Sequence, residues 1–249
     1  MAWVIIAVII VVLAGLLAWY MSRPMNIPRE PDREGAQDAA AVRAYDRTSR
    51  WPIFALERRI MVNVLARSEP TGLLLDIGCG PGYLAAGISR RCPSLKVIGL
   101  DINEEMINIA RHNWPPPQYS VEFVAGDAHQ LPFTDSSIDF AVSSLSLHHW
   151  ADAAQVFREI QRVLKPGGEF AIMDLRRDSA RFFYLAFKIG QALIAPEAIK
   201  RTNGAVGSFW ASYTPSELKI ILDTAGIKEA RIDTTFGWMV ARGRKKESL

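Results

Sequence analysis

Five short apolar runs recur between residues 72 and 175, and their alternation with amphipathic stretches restricts the fold more than any other feature. The runs are GLLLDIG from Gly72, LKVIGLDI from Leu95, VEFVAGDA from Val121, IDFAVSSLSL from Ile138 and GEFAIMDL from Gly168. Each is short and rich in Leu, Ile, Val or Phe, as strands buried on both faces are, while the stretches between them carry helical periodicity. A βαβαβ order calls for a parallel sheet with helices on both faces, so the fold class is α/β. After Asp174 the rhythm breaks into a long apolar segment, read as a helical lid over residues 176–212. A helix at TPSELKIILDTAG and two last strands near IKEARIDT and FGWMVARGR follow.

The first run passes directly into the turn DIGCGPGYLA. Gly78, Gly80 and Gly82 let the backbone approach a ligand closely, and a helix opening near Tyr83 would present free amides to its polar groups. The dinucleotide fingerprint GxGxxG has its third glycine where this chain has Tyr83. Asp76, immediately before the turn, would repel a pyrophosphate but accept hydrogen bonds from an ammonium group or a water. The spacing therefore favours a cofactor carrying an amine over one carrying a diphosphate. Asp101, about twenty residues on, can accept from both hydroxyls of a ribose. Asp127 can accept from an exocyclic adenine amine while the Ala128 amide donates to the ring. Cys79 reads as a small packing residue within the cofactor turn. Asp139 and Lys165 read as turn residues around the fourth and fifth strands.

The segments LLLDIGCGPG, GLDIN, GDAHQLPF, FAVSSLSLHHW and RVLKPGGEFAIMD, in this order and spacing, resemble the class I S-adenosylmethionine-dependent methyltransferases. Within them the pattern is most similar to the branch of the ubiquinone and menaquinone C-methyltransferases, over about Ala39 to Arg244. The resemblance implies a Rossmann-like, seven-stranded, mostly parallel sheet with its last strand antiparallel, and S-adenosylmethionine as cofactor. It places Asp76, Gly78 and Gly80 at the methionine end, with Cys79 and Gly82 in the same turn. Asp101 and Ile102 meet the ribose and adenine, and Asp127 with Ala128 the adenine ring. Tyr45, in a Tyr45–Asp46 pair, matches a helix that closes over the cofactor.

Methyl transfer from a sulfonium is an in-line displacement in which alignment supplies much of the acceleration, and a base is needed only for some acceptors. His149, and after it His148, are the candidate bases, since SLHHW ends the fourth run where the methyl group is delivered. Trp210 and Tyr213 are candidate acceptor residues, and the apolar lid fits a small apolar acceptor, quinone or lipid-like. Two other readings stay open: an NAD-type oxidoreductase, which shares the sheet and Asp101, and a non-catalytic membrane scaffold that binds the cofactor.

Ahead of the domain, Ala2 to Tyr20 is uncharged over about 19 residues, roughly 28 Å as a helix, which predicts a transmembrane anchor over residues 1–22. No basic residue precedes it, and Trp19 and Tyr20 stand where a signal peptide would be cleaved. Arg23, Arg29 and Arg33 all follow the run, so the expected location is single-pass in the membrane with the catalytic domain in the cytoplasm. Residues 23–38, with three prolines, read as a linker, and residues 39–249 as the methyltransferase domain. A net charge of +3 without basic–aromatic clusters excludes a nucleic-acid groove, and Cys79 and Cys92 alone form neither a disulfide framework nor a metal site.

Overall fold

The computed structural model describes residues 2–31, 39–66, 70–201 and 204–247. Three helices come first, α1 (Ala2–Ser22), α2 (Ala39–Ser49) and α3 (Pro52–Ala66). The predicted alternation follows as β1 (Gly72–Ile77), α4 (Tyr83–Arg91), β2 (Leu95–Asp101), α5 (Glu104–Asn113), β3 (Val121–Ala125), β4 (Ile138–Ser144), α6 (Ala153–Val163) and β5 (Leu164–Leu175). The segment after β5 forms α7 (Arg181–Ile194), α8 (Glu197–Arg201) and α9 (Gly204–Ala211), and the chain ends with α10 (Pro215–Thr224), β6 (Arg231–Thr234) and β7 (Trp238–Arg244). Local chemistry sets several of these starts. Asn103 Oδ1 accepts from the Glu105 and Met106 amides to open α5, and Thr214 and Glu217 form a reciprocal capping box with Pro215 in the first turn of α10.

The strands form one seven-stranded sheet in the order β3-β2-β1-β4-β5-β7-β6, with β7 antiparallel to both of its neighbours. One face packs Val156, Phe157 and Ile160 of α6 and Leu218 and Leu222 of α10 against the strands, and the other packs Leu84 and Ile88 of α4 and Ile107 and Ala110 of α5. Between β1 and β4 the strand order reverses, and connections leave the two carboxyl ends in opposite directions. That switch point is where an open α/β sheet leaves a crevice.

Gly82, just before α4, has φ +81°, and a Cβ there would lie 2.6 Å from Phe123 Cζ and 2.9 Å from Trp114 Cδ1. Gly82→Ala is expected to lose about 2–5 kcal/mol in urea unfolding, combining left-handed backbone strain with overpacking. A loss below about 1 kcal/mol would mean that both rings move aside at little cost.

The N-terminal expectation is corrected. Among the described residues no helix is long and apolar enough to cross a membrane. Trp19 and Tyr20 lie beneath the guanidinium groups of Arg23 and Arg181, at 4.7 and 4.4 Å. The transmembrane anchor, the single-pass location and the cytoplasmic orientation built on it are thereby overturned.

Residues 23–31 lie against the domain. Pro24 bridges to Ala180, the Met25 amide donates to the Ser179 carbonyl at 3.0 Å, and the Glu30 amide to the Trp210 carbonyl at 3.1 Å. Met25 and Ile27 pack on Leu175, Phe183 and Phe209, and Arg177 Nε donates to the Ile27 carbonyl at 2.8 Å. Arg33 and the rest of residues 32–38 lie outside the described residues.

Candidate active site

The glycine turn after β1 directs its amides inward. Gly78 and Cys79 both donate to the Leu100 carbonyl, at 2.8 and 2.9 Å, and Gly80 donates to Asp101 Oδ2 at 2.8 Å. These three amides are committed to the end of β2, and a nest for phosphate is lost with them. The cleft meets acid instead. Asp76 is 1% exposed, its Oδ2 has no hydrogen-bond partner among the described residues, and burial pushes its carboxyl up to about 8 against the pull of the Ala85 amide. At Gly80, φ +51°, the nearest atom to a Cβ would be Tyr45 Cε1 at 3.7 Å, so the turn stays open toward α2.

Tyr45, Gly78, Cys79, Gly80 and Asp76 line one cavity of roughly 430 Å³ including its open mouth. Burial, reinforced by the charge of Asp101, pushes the Tyr45 phenol up to about 12. Tyr83, standing where the dinucleotide fingerprint has its third glycine, receives a hydrogen bond from Arg50 Nε at 2.6 Å and donates to Asp46 Oδ1 at 2.9 Å. Asp46 also accepts from Asn113 Nδ2 at 3.0 Å, so the Tyr45–Asp46 pair divides its work. Tyr45 faces the cavity, while Asp46 ties α2 to α4 and α5.

At the end of β2, Asp101 accepts from Gly80 and, through Oδ1, from the Asn103 amide at 2.9 Å. Each oxygen keeps a second lone pair for a ribose hydroxyl. Burial pushes this carboxyl up, and the charge of His149 opposes the shift. Ile102 stands at the rim, 72% exposed. The end of β3 is tied to β2 by the Gly126 amide, 2.9 Å from the Asp101 carbonyl. Asp127 there caps the short turn Ala128–Gln130 by accepting from the His129 amide at 2.8 Å. Burial is the largest single influence on the Asp127 carboxyl and raises it, but the His129 amide, ring hydrogen bond and ring charge together outweigh it and hold it below its ordinary value.

The two histidines differ sharply. His148 is 3% exposed, and Asp174 at the end of β5 fixes it twice, through Oδ2 to the backbone amide at 2.8 Å and through Oδ1 to ring Nδ1 at 2.8 Å. With Nδ1 donating to the carboxylate, Nε2 carries the lone pair, and it has no hydrogen-bond partner among the described residues. His149 is exposed and lies against the His148 ring, centroids 4.0 Å apart, on the side of Asp101. Trp210 packs with the α7–α9 cluster. Tyr213 is buried in the main core under the Arg29 guanidinium, 4.0 Å from its ring. Burial raises its phenol, with Glu217 and Asp174 adding to the shift and Arg29 opposing it.

Four functional candidates go unnoticed in the sequence: Glu57 and Arg58 on α3, Ser144 at the end of β4, and Asp174. The first three line the same cavity as Asp76. Asp174 alone carried a signal, being a strand-end aspartate like Asp76 and Asp101. Glu57 in FALERRI looks like any surface helix acid.

A cleft lined by the buried carboxylates of Asp76 and Glu57 does not suit a pyrophosphate, which weighs against the dinucleotide alternative. It suits a cofactor with an ammonium at one end and a ribose at the other. This site, at the switch point of a β3-β2-β1-β4-β5-β7-β6 sheet, has the layout of the class I S-adenosylmethionine-dependent methyltransferase fold. Residues 75–172 match the methyltransferase domain family. Demethylmenaquinone methyltransferase of Thermotoga maritima is 32% identical over 56% of this chain and 60% of its own length. The enzyme of that name from Deinococcus radiodurans is 28% identical over 58% of this chain and 59% of its own. The chain thus spans about three fifths of the length of these relatives. The structure of a plantazolicin methyltransferase in complex with S-adenosylhomocysteine shares the fold, with a TM-score of 0.67 over 85% of this chain and 92% of that one, at 15% identity.

Proposed function

We propose that the protein transfers a methyl group from S-adenosylmethionine to a small apolar acceptor bearing an ionisable hydroxyl, of quinol or related lipid-like type, with His148 as the general base. The observation that carries this reading is the buried His148–Asp174 pair with its unpartnered Nε2. The cofactor supplies an electrophilic methyl group on a sulfonium. His148 Nε2 takes the hydroxyl proton, which turns the acceptor's oxygen or a ring carbon conjugated to it into the nucleophile. Asp174 holds the imidazole in the tautomer that leaves Nε2 free and steadies the imidazolium that forms.

Asp76, Gly78, Cys79 and Gly80, beside Tyr45, would hold the methionine end of the cofactor, Asp101 near Ile102 its ribose, and Asp127 with Ala128 its adenine. Gly82 shapes the turn. His149 closes the cleft beside His148, and Trp210 and Tyr213 bound the acceptor side. An apolar acceptor is supported by α7 and α9, whose Phe183, Tyr184, Phe187, Phe209 and Trp210 cluster over the end of β5, and by the demethylmenaquinone methyltransferases among the relatives.

Labelled S-adenosylmethionine, supplied with the protein and with separate organic and aqueous extracts, tests the reading. Label is expected in a small molecule of the organic extract. Label entering protein or nucleic acid alone rejects it, and no label in any fraction favours a cofactor-binding scaffold.

A further inference from the structure

We propose that Glu57, on α3, shares with Asp76 the seat of the cofactor's methionine ammonium, a role that rests on reading this cleft as an S-adenosylmethionine site. Both side chains line the same cavity, and Glu57 is 2% exposed. Each has one carboxylate oxygen with no hydrogen-bond partner among the described residues, Glu57 Oε2 and Asp76 Oδ2. A buried polar oxygen without a donor is costly, so two in one cavity call for a donor that arrives from outside. An ammonium group brings three N–H donors and a charge that answers both acids, which no neutral group does.

The second oxygen of Glu57 fixes its aim. Ser144 Oγ donates to Oε1 at 2.5 Å from the end of β4, and this holds the carboxyl at the switch point rather than out along α3. The neighbouring cation does not neutralise it by contact. Arg58 Nη2 donates to the Ser49 carbonyl at 2.7 Å, and its guanidinium lies over the Tyr83 ring at 4.9 Å. Burial consequently pushes Glu57 up to about 7, with Asp174 raising it further and Ser144 and Arg58 opposing, and the charge of Glu57 adds to the upward shift of Asp76. Tyr45, Arg58, Cys79 and Tyr83 are the other titratable groups that line the cavity, and the charge of Asp101 reaches Tyr45 and Asp76 from the end of β2.

Calorimetric titration of wild type and Glu57→Gln with two ligands separates this role from a structural one. S-adenosylhomocysteine carries the ammonium, while 5′-methylthioadenosine keeps the adenosine and thioether but has no amino-acid tail. Glu57→Gln is expected to bind S-adenosylhomocysteine roughly 10-fold or more weakly, the effect of one charge-assisted hydrogen bond, and 5′-methylthioadenosine within about twofold of wild type. Retained binding of the second ligand shows that the variant is folded with its adenosine half intact. Unchanged affinity for S-adenosylhomocysteine, or a parallel loss for both ligands, overturns the proposal. Failure of the wild type to bind either ligand overturns the cofactor reading itself and the role of Glu57 with it.

Discussion

Asp101→Ala loses affinity for S-adenosylhomocysteine by about 100-fold or more, the expected effect of deleting two hydrogen bonds from ribose hydroxyls to a carboxylate. The magnitude follows from what the side chain already does. Its oxygens accept from the Gly80 and Asn103 amides at 2.8 and 2.9 Å, so the carboxylate is held in place before any ligand arrives and little ordering remains to oppose binding. The same bonds make alanine harmful to the empty protein. The Gly80 amide loses its acceptor, and the turn that carries Gly78 and Cys79 loses one of its ties to β2. A lower thermal midpoint should accompany the lost affinity, by an amount that Asp101→Asn, which keeps one acceptor oxygen, partly restores. Titration calorimetry and thermal unfolding on the three proteins check this. Unchanged affinity in the alanine variant would retire the ribose assignment, however much stability it cost.

The acids at the ends of β1, β2 and β3 are legible in the sequence because each closes a strand that periodicity alone identifies. Fold and cofactor crevice follow from them. What periodicity cannot show is which groups packing brings to that crevice from elsewhere. Glu57 is buried only because α3 lies against α4, and Asp174 meets His148 across 26 residues of chain through the pairing of β4 with β5. The proposal that puts His148 ahead of His149 rests on packing of the same kind. SLHHW puts both at a strand end, but only packing decides that His148 points inward to Asp174 and His149 outward. Backbone hydrogen bonding is equally silent in sequence, and nothing in DIGCGPG shows that the Gly78, Cys79 and Gly80 amides are committed to Leu100 and Asp101. At the N-terminus, the uncharged run from Ala2 to Tyr20 satisfies a length rule, yet nothing in it foretells that Arg181, 161 residues from Tyr20, will cover that end of the helix.

His148→Asn should lower kcat by about 10²–10⁴-fold, the usual contribution of a positioned general base, while S-adenosylhomocysteine affinity stays within a few-fold of wild type. Asparagine is the informative replacement because its amide can still donate to Asp174, so the carboxylate is not left buried and unpaired, and only the lone pair at Nε2 is removed. Asp174→Asn attacks the other half of the pair. It keeps the shape but no longer dictates that Nδ1 carries the proton, and it weakens the stabilisation of the imidazolium. If the two residues act as one unit, the double variant is scarcely slower than His148→Asn alone, because removing the orienting group costs nothing further once the base is gone. Additive losses would mean that Asp174 acts on its own, through the Leu175 amide it also accepts from at 2.7 Å and the strand end this bond organises. The rates are read as label passing from S-adenosylmethionine to the acceptor fraction, with His149→Asn in parallel. A large loss from His149→Asn and none from His148→Asn would move the base to the exposed ring beside Asp101, and the buried pair would then be a brace between β4 and β5.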